Sequence, residues 1–355
     1  MNRMPLLALA AVLAGCSETT LIFNDPVENL PDPGAIRGRV CAPNGRSWLP
    51  DAMAYTNLYN EEGYITEVRR AFSDRDGNWQ IDGLPGNREY TIYVQYGQDI
   101  LQEQTVFLGD ADTVFLEEPE CFDPTALDIA LVSGDYDDIQ RVLESMGFTS
   151  YTLINGNDPE SIKAFVTDIE SMRRFDLIFF NGGHLEKGIF YDSNPANEVP
   201  AQAAANLQAY VSEGGAVYAS DWAYDVIERA WPDPIDFMGD DRTPDAAQLG
   251  EYDVINAAVT DESLAAFLGK NQVEVEYDLP VWPPVASVQP YVSIHLSGTV
   301  RYREGQSSYT LASVPILVSF SQDRGRVGFS TFRIAANNNA DTLLTLQHIL
   351  GTLQN

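Results

Sequence analysis

Cysteine is scarce in this sequence. The 355 residues include 3 cysteines, at positions 16, 41 and 121, and none follows Cys121. Thiolate catalysis depends on that side chain. Its absence excludes thiol catalysis from roughly the last two thirds of the chain.

Basic residues are few as well. Lys and Arg number 21 against 52 Asp and Glu, which gives a formal net charge of −31 at pH 7. A polyanion repels nucleic acid and anionic lipid surfaces, so nucleic-acid binding is excluded. The partners that remain are cations, cationic surfaces and neutral ligands, unless the charge serves only solubility or life in a salty medium.

Long apolar runs are also missing. The run at residues 6–14 follows Arg3 and is far shorter than the roughly 20 residues that a membrane-spanning helix needs. It is typical of the apolar core of a signal peptide. The motif LAGC, which ends at Cys16, resembles the bacterial lipobox. The resemblance implies cleavage of a signal peptide over residues 1–15 and lipid attachment at Cys16; an ordinary secretory signal is the alternative.

The residues after this cysteine predict a surface tether. Ser17, rather than Asp, follows Cys16, which resembles lipoproteins that are sorted to the outer membrane. Residues 16–34 are rich in Pro, Asp and Asn and have no clear period, so we expect a flexible tether. The predicted location is the bacterial cell envelope, lipid-anchored at the outer membrane and facing either the periplasm or the surface.

Length and cysteine spacing predict two folded domains. A chain of 355 residues that is 45% hydrophobic is long enough for two cores. With Cys16 lipidated, Cys41 and Cys121 remain in an oxidising compartment, and we predict a disulfide between them. Two unpaired thiols are the alternative.

The first domain, residues 35–122, is predicted to be all-β. Ile36 and Val40 alternate with Arg37 and Arg39, which is the period of a strand with one buried face. Turn signals separate several such strands. The stretch SDRDGNWQIDGLPGNREYTIYVQ resembles the carboxypeptidase regulatory-like domain. That resemblance implies a small transthyretin-like β-sandwich that acts as a stalk or an interaction module.

One turn in this domain has the opening spacing of a calcium loop. Asp74, Asp76 and Asn78 alternate, but the distal bidentate Glu of such a loop is absent. Asp-Gly is also an ordinary hairpin turn. We therefore interpret the segment as a turn and expect no cofactor, with Ca²⁺ or Mg²⁺ as the alternative.

The second domain, residues 123–355, is predicted to be an α/β fold. Apolar strands alternate with amphipathic helices, which indicates a parallel sheet with helices on both faces. Ligands of such sheets bind at the carboxyl ends of the strands. The candidate cleft at that edge comprises Asp135, Asp137, Asp138, Gly183, His184, Ser220, Asp221 and Trp222.

The segment LQAYVSEGGAVYASDWAYDVI resembles the approach to the nucleophile elbow of class I glutamine amidotransferase-like proteins. The closing strands and last helix resemble ThuA-like members of that superfamily. The resemblance implies a three-layer, flavodoxin-like domain with a strand-rich insertion near residues 270–310. The chain departs from the catalytic pattern, because Asp221 or Ser220 stands in place of the nucleophilic cysteine and Arg333 in place of a late histidine.

These departures favour a non-catalytic binding or assembly module, a pseudoenzyme. The alternative is a hydrolase for an envelope glycan or peptide, using a carboxylate or a metal held by Asp135, Asp138, His184 and Asp221. A purely structural envelope component is a third possibility. Three aromatic side chains near the cleft suit either sugar stacking or core packing, namely Trp222, Tyr224 and Trp231. His295 and His348 are interpreted as structural or exposed.

Overall fold

A computed structural model describes most of the chain after residue 31. The described residues are 32–42, 48–96, 99–116, 121, 127–183, 188–239, 246–334, 336–337 and 339–354. The predicted signal peptide, Cys16, most of the tether and His184 lie outside them. Within the described part, no helix has the length and apolarity needed to cross a membrane.

The N-terminal region consists of strands. They are β1 (Pro33–Arg39), β2 (Met53–Tyr59), β3 (Ile65–Phe72), β4 (Asn78–Pro85), β5 (Arg88–Tyr96), β6 (Asp99–Leu108) and β7 (Thr113–Phe115). They form one sheet of order β4-β1-β7 and a second of order β3-β2-β5-β6. The predicted alternation holds in β1, where Ile36 is buried and Arg37 is exposed.

The two cysteines of this region form a disulfide. Cys41 follows β1, and Cys121 pairs with it as an isolated parallel β-bridge, with the two Cα atoms 4.4 Å apart. The crosslink ties residues that are 80 positions apart. The disulfide expected from the cysteine count is therefore present.

The segment with calcium-like spacing forms a tight turn that connects β3 to β4, two strands of different sheets. Asp74 Oδ1 accepts hydrogen bonds from the backbone N–H groups of Asp76, at 2.9 Å, and Asn78, at 2.8 Å. Gly77 has a φ of +76°, which glycine adopts without steric cost. The carboxylate oxygen is engaged by the turn itself, as the turn interpretation predicts.

The C-terminal region combines helices with a large sheet. Its strands are β8 (Ile129–Val132), β9 (Thr152–Ile154), β10 (Leu177–Phe180), β11 (Ala216–Ser220), β12 (Ile235–Phe237), β13 (Leu249–Gly250), β14 (Asp253–Val259), β15 (Gln272–Tyr277), β16 (Val285–Val288), β17 (Ser293–Glu304), β18 (Ser307–Gln322) and β19 (Gly325–Ser330). Its helices are α1 (Gln140–Met146), α2 (Pro159–Thr167), α3 (Ile169–Met172), α4 (Val199–Ser212), α5 (Tyr224–Ala230), α6 (Glu262–Leu268) and α7 (Ala340–Gln354).

The large sheet has 10 strands and is mixed. Its order is β15-β14-β17-β18-β19-β11-β10-β8-β9, with β13 paired to β17 at the side. The five strands β9, β8, β10, β11 and β19 are parallel and follow the flavodoxin-like order 2-1-3-4-5. The α/β class is confirmed.

The predicted parallel sheet is present in these five strands, and β18 and its neighbours continue it antiparallel from β19. These added strands also begin earlier and end later than the expected insertion at residues 270–310. They lie between β11 and β19 in sequence, and the long hairpin of β17 and β18 pairs with β19 directly. The segment is therefore half of the sheet rather than a lobe beside it.

Both faces of the parallel strands are buried. In β8, Ile129 and Leu131 belong to one apolar cluster, while Ala130 and Val132 belong to the other. The first cluster continues into the N-terminal strands, where Tyr96 stacks on Phe148 with ring centroids 5.7 Å apart. The N-terminal strands are therefore packed against this face of the α/β region.

Candidate functional site

The end of β11 has the backbone of a nucleophile elbow. The strand ends at Ser220, a 3-10 turn spans Asp221–Ala223, and α5 follows. Asp221 has a φ of +49°, in the left-handed region that a non-glycine side chain occupies at a cost of about 1–3 kcal/mol. Sharp strand-to-helix turns of this kind expose the nucleophile in hydrolases. Asp221 therefore lies between the end of β11 and the start of α5.

The Asp221 side chain is nevertheless enclosed. The residue is 2% exposed, and its Oδ1 atom has no hydrogen-bond partner among the described residues. Burial raises the pKa of this carboxyl group well above its usual range, and the negative charge of Asp137 adds to that effect. Arg333, with Nε 3.9 Å from Asp221 Oδ2, acts in the opposite direction. Burial dominates, so the neutral acid is favoured.

Asp137 joins three strand ends of the cleft. Its carboxylate accepts hydrogen bonds from Ser220 Oγ at 2.6 Å and from the Ile334 N–H at 2.7 Å. Gly182 N–H in turn donates to Ser220 Oγ at 3.3 Å. The loops after β8, β10, β11 and β19 are therefore held together by one carboxylate and one hydroxyl. With these contacts, the Asp137 carboxylate has a structural role.

Arg333 and Asp278 form an ion pair that closes this site. The predicted cleft did not include this pair. Arg333 donates from Nη1 to the Tyr136 carbonyl at 2.7 Å and from Nη2 to Asp278. The pocket beside Asp221 measures about 10 Å³. Its lining includes Asp221, Tyr277, Asp278, Trp282, Phe332 and Arg333. This space is of the order needed for one water molecule and excludes a substrate.

The other predicted cleft residues do not converge on Asp221. The side chain of Asp135 is exposed, and Asp138 pairs with Arg141 at 2.9 Å on helix α1. Gly183 is buried where the loops after β8 and β10 approach each other, since a Cβ there would lie 3.3 Å from the Gly134 Cα. His184 lies outside the described residues. The cleft is therefore centred on Asp137, Ser220 and Asp221.

Of the four proposed metal ligands, the structure describes Asp135, Asp138 and Asp221. Among the described residues, no three His, Cys, Asp or Glu side chains are grouped so that they could hold a metal ion. The Asp138 carboxylate forms an ion pair with Arg141, and the Asp221 carboxyl group lies 3.9 Å from Arg333 Nε. The set that includes His184 stays a prediction.

Two of the three aromatic residues near the cleft belong to the core. Tyr224 is 0% exposed and Trp231 is 6% exposed, with Trp231 packed edge-on against Phe320. Trp222 is partly exposed and contacts Tyr224 edge-on, with centroids 5.2 Å apart. Core packing therefore accounts for Tyr224 and Trp231, and Trp222 alone has a surface that a sugar ring could stack on.

Two site residues have a weak signal in the sequence. Asp278 directly follows β15, where a polar residue at the end of a strand is a recognisable pattern. Arg333 stands out only as a replacement for histidine. Their pairing joins positions 55 residues apart, which no local pattern predicts.

No family model and no curated protein matches this chain. Solved structures similar to it include a cytoplasmic protein from Salmonella typhimurium, 14% identical over 64% of this chain and 98% of that one at a TM-score of 0.39. A ThuA-like protein from Bacteroides uniformis is 10% identical over 64% of this chain and 90% of its own, at 0.41. A protein described as a GMP synthase component, from Thermoplasma acidophilum, is 9% identical over 63% and 93%, at 0.39. Likenesses at these TM-scores carry no further argument.

Proposed function

We propose that this chain is a lipid-anchored protein of the bacterial cell envelope that binds or assembles with a partner and performs no chemistry at its elbow. The observation that carries the proposal is the state of Asp221. Its side chain is 2% exposed, beside a pocket of about 10 Å³. A carboxyl group buried in this way is out of reach of a substrate and does not act as a nucleophile.

The anchor and the two regions fit a binding role together. The LAGC motif at Cys16 supplies the lipid attachment, and the tether over residues 16–34 would hold the folded part off the membrane. The net charge of −31 disfavours nucleic acid as a partner. An envelope protein, a peptide or a glycan is the class of ligand that remains.

The variant Asp221→Asn tests the absence of chemistry at the elbow. The amide matches the neutral acid in shape and charge, so a binding protein keeps its function in cells. We expect Asp221→Asn to restore the envelope phenotype of a deletion strain as fully as the natural sequence. A folded Asp221→Asn protein, present at normal levels, that fails to restore the phenotype would overturn the proposal.

The variant Cys16→Ser tests the anchor separately. The natural sequence should incorporate labelled palmitate and stay with the membrane fraction, because several acyl chains anchor stably. Cys16→Ser should take up no label and leave that fraction. Equal labelling of both proteins contradicts lipidation at this residue.

One observation favours a hydrolase as the second candidate function. The positive φ of Asp221 is a strained geometry that often marks active sites. A carboxylate- or metal-dependent hydrolase would act on an envelope glycan or peptide. Its signature would be turnover of such substrates that is lost in Asp221→Asn and, for a metal enzyme, on chelation. We expect neither.

A further inference from the structure

Three polar side chains away from the elbow form a continuous hydrogen-bonded series. Asp261 precedes α6, His295 lies in β17 and Ser319 lies in β18. His295 Nδ1 is 2.6 Å from Asp261 Oδ2, and His295 Nε2 is 2.7 Å from Ser319 Oγ. Both ring nitrogens are therefore engaged, one by a carboxylate and the other by a hydroxyl.

The carboxylate determines the direction of these hydrogen bonds. The hydrogen bond from His295 holds the pKa of Asp261 far below its usual range. Asp261 Oδ1 also accepts from Ser263 N–H at 2.8 Å and Ser263 Oγ at 2.7 Å. An ionised carboxylate only accepts, so His295 Nδ1 carries a proton towards it. In the neutral ring, Nε2 then accepts from the Ser319 hydroxyl.

The surroundings hold the histidine and leave the serine accessible. His295 is 4% exposed, and its carbonyl accepts from the Thr260 N–H at 3.0 Å. Ser319 is partly exposed and pairs with Ser293 of β17 and Gly328 of β19. A hydroxyl at the surface with a buried, oriented base behind it is the arrangement of an activated nucleophile.

We propose that Ser319 is the nucleophile, His295 the general base and Asp261 the positioning residue of a second site, which hydrolyses small uncharged esters. The net charge of −31 disfavours anionic substrates. The site is separate from the elbow, so its failure would leave the binding proposal above intact, and the reverse also holds.

The reaction uses water alone as co-reactant. Ser319 Oγ bonds to the ester carbonyl carbon while its proton passes to His295 Nε2. The carbon–oxygen bond of the ester breaks, and the alcohol leaves with the proton from His295. Water then attacks the acyl group, gives its proton to His295, and releases the acid with the Ser319 hydroxyl restored.

Ser319 lies within a strand rather than on an elbow, so backbone donors for the oxyanion are fewer and turnover is expected to be slow. Covalent labelling is therefore a sharper test than turnover. The full chain is incubated with a fluorophosphonate, and the adduct is located by mass spectrometry. We expect one adduct, on Ser319. A folded protein that gives no adduct, or an adduct on another serine only, overturns the proposal.

Variants separate activation from mere exposure. His295→Gln should lower the labelling rate by about 10²-fold or more, because it removes the general base. Ser321→Ala is the matched control, since this exposed residue lies two positions further along β18 and should leave labelling unchanged. Equal labelling rates in His295→Gln and the natural sequence would show that the serine is not activated.

Asp261→Asn tests the positioning role. Asn still caps α6, so folding is retained, but the amide no longer fixes the proton on Nδ1. The labelling rates of the natural protein and of Asp261→Asn are measured as a function of pH. We expect a reduced rate and a changed pH profile in Asp261→Asn. Ser263 Oγ is 3.2 Å from His348 Nε2, and His348 Nδ1 is 3.1 Å from Asp51, so these groups are to be considered in the profile. An unchanged profile contradicts the role.

Discussion

Asp221, at the end of β11, and Ser319, in β18, belong to the same sheet region but differ in two properties. These are the strain of the backbone and the presence of a base beside the side chain. The elbow has the strained backbone of a nucleophile, with φ at +49°, yet its carboxyl group is buried and lacks a base. Ser319 has an oriented base, yet it lies on a regular strand. In this fold, the strained backbone at a strand end and the side chain with an oriented base therefore occur at different places.

The contrast between Asp221 and Ser319 requires that the elbow is closed to solvent. A thiol introduced by Asp221→Cys should react with iodoacetamide about 10³-fold more slowly than the same thiol in urea, because modification must wait for local opening. Ser321→Cys, at an exposed position, provides the accessible control. Reaction rates that match between the two folded variants would show an accessible elbow and revive the hydrolase hypothesis.

A second prediction concerns the ion pair between Arg333 and Asp278 beside the elbow. Arg333 is 11% exposed in its side chain and is the cation beside Asp221 and Asp278. Arg333→Met should lower the free energy of unfolding by about 2–4 kcal/mol, because it leaves Asp278 without its counter-charge and the Tyr136 carbonyl without its donor.

Urea denaturation measures this loss. The control is Arg301→Met, whose partner Asp253 is 3.1 Å away on the surface and which should cost less than about 1 kcal/mol. If the two variants lose equal stability, the Arg333 pair is not a buried element of the cleft.

The pH dependence of stability tests the neutral state of Asp221. Its pKa is raised in the folded chain, so the stability it contributes is fully present below the unfolded value, about 3.9. That contribution is lost as the pH rises through the raised folded value, by about 1.4 kcal/mol for each pH unit between the two. Asp221→Asn lacks this titration. Stability curves that run parallel from pH 4 to pH 8 would contradict a neutral Asp221.

The smallest expected effect concerns the backbone strain itself. Asp221→Gly removes both the left-handed strain and the buried carboxyl group, and it should raise the free energy of unfolding by about 1 kcal/mol. Asp221→Ala keeps the strain and serves as the control. Equal stabilities of the glycine and alanine variants would mean that the positive φ costs nothing here.

Local patterns in the sequence predict much of the fold. In α1, Val142, Leu143 and Met146 recur at helical spacing and are buried, and Gly147 ends the helix with a φ of +93°. The next helical stretch divides into α2 and α3 at Asp168, whose side chain accepts from the Glu170 N–H at 3.2 Å and caps α3. Hydrophobic period alone does not reveal such a break, because the apolar spacing continues through it.

The candidate site is predicted less completely. Asp137, Ser220 and Asp221 are identifiable because polar residues at the ends of parallel strands meet at one edge. The sequence does not place Asp278 in the site, because β15 falls within the stretch that is predicted to be a separate insertion. Ser319 carries no signal of its own, and His295 is interpreted as structural or exposed. Asp261, His295 and Ser319 are 34 and 24 positions apart and share no motif, so no local pattern links them.

The sequence by itself determined the alternation of strands and helices, the turns, the scarcity of cysteine and the presence of a carboxylate where a thiol would be needed. These properties depend on neighbouring residues and on composition. Only the tertiary structure decided that Asp221 is enclosed by Arg333 and Asp278 and that His295 joins Asp261 to Ser319. Burial, charge pairing and hydrogen-bond direction are set by residues distant in sequence, so they follow from how the strands pair.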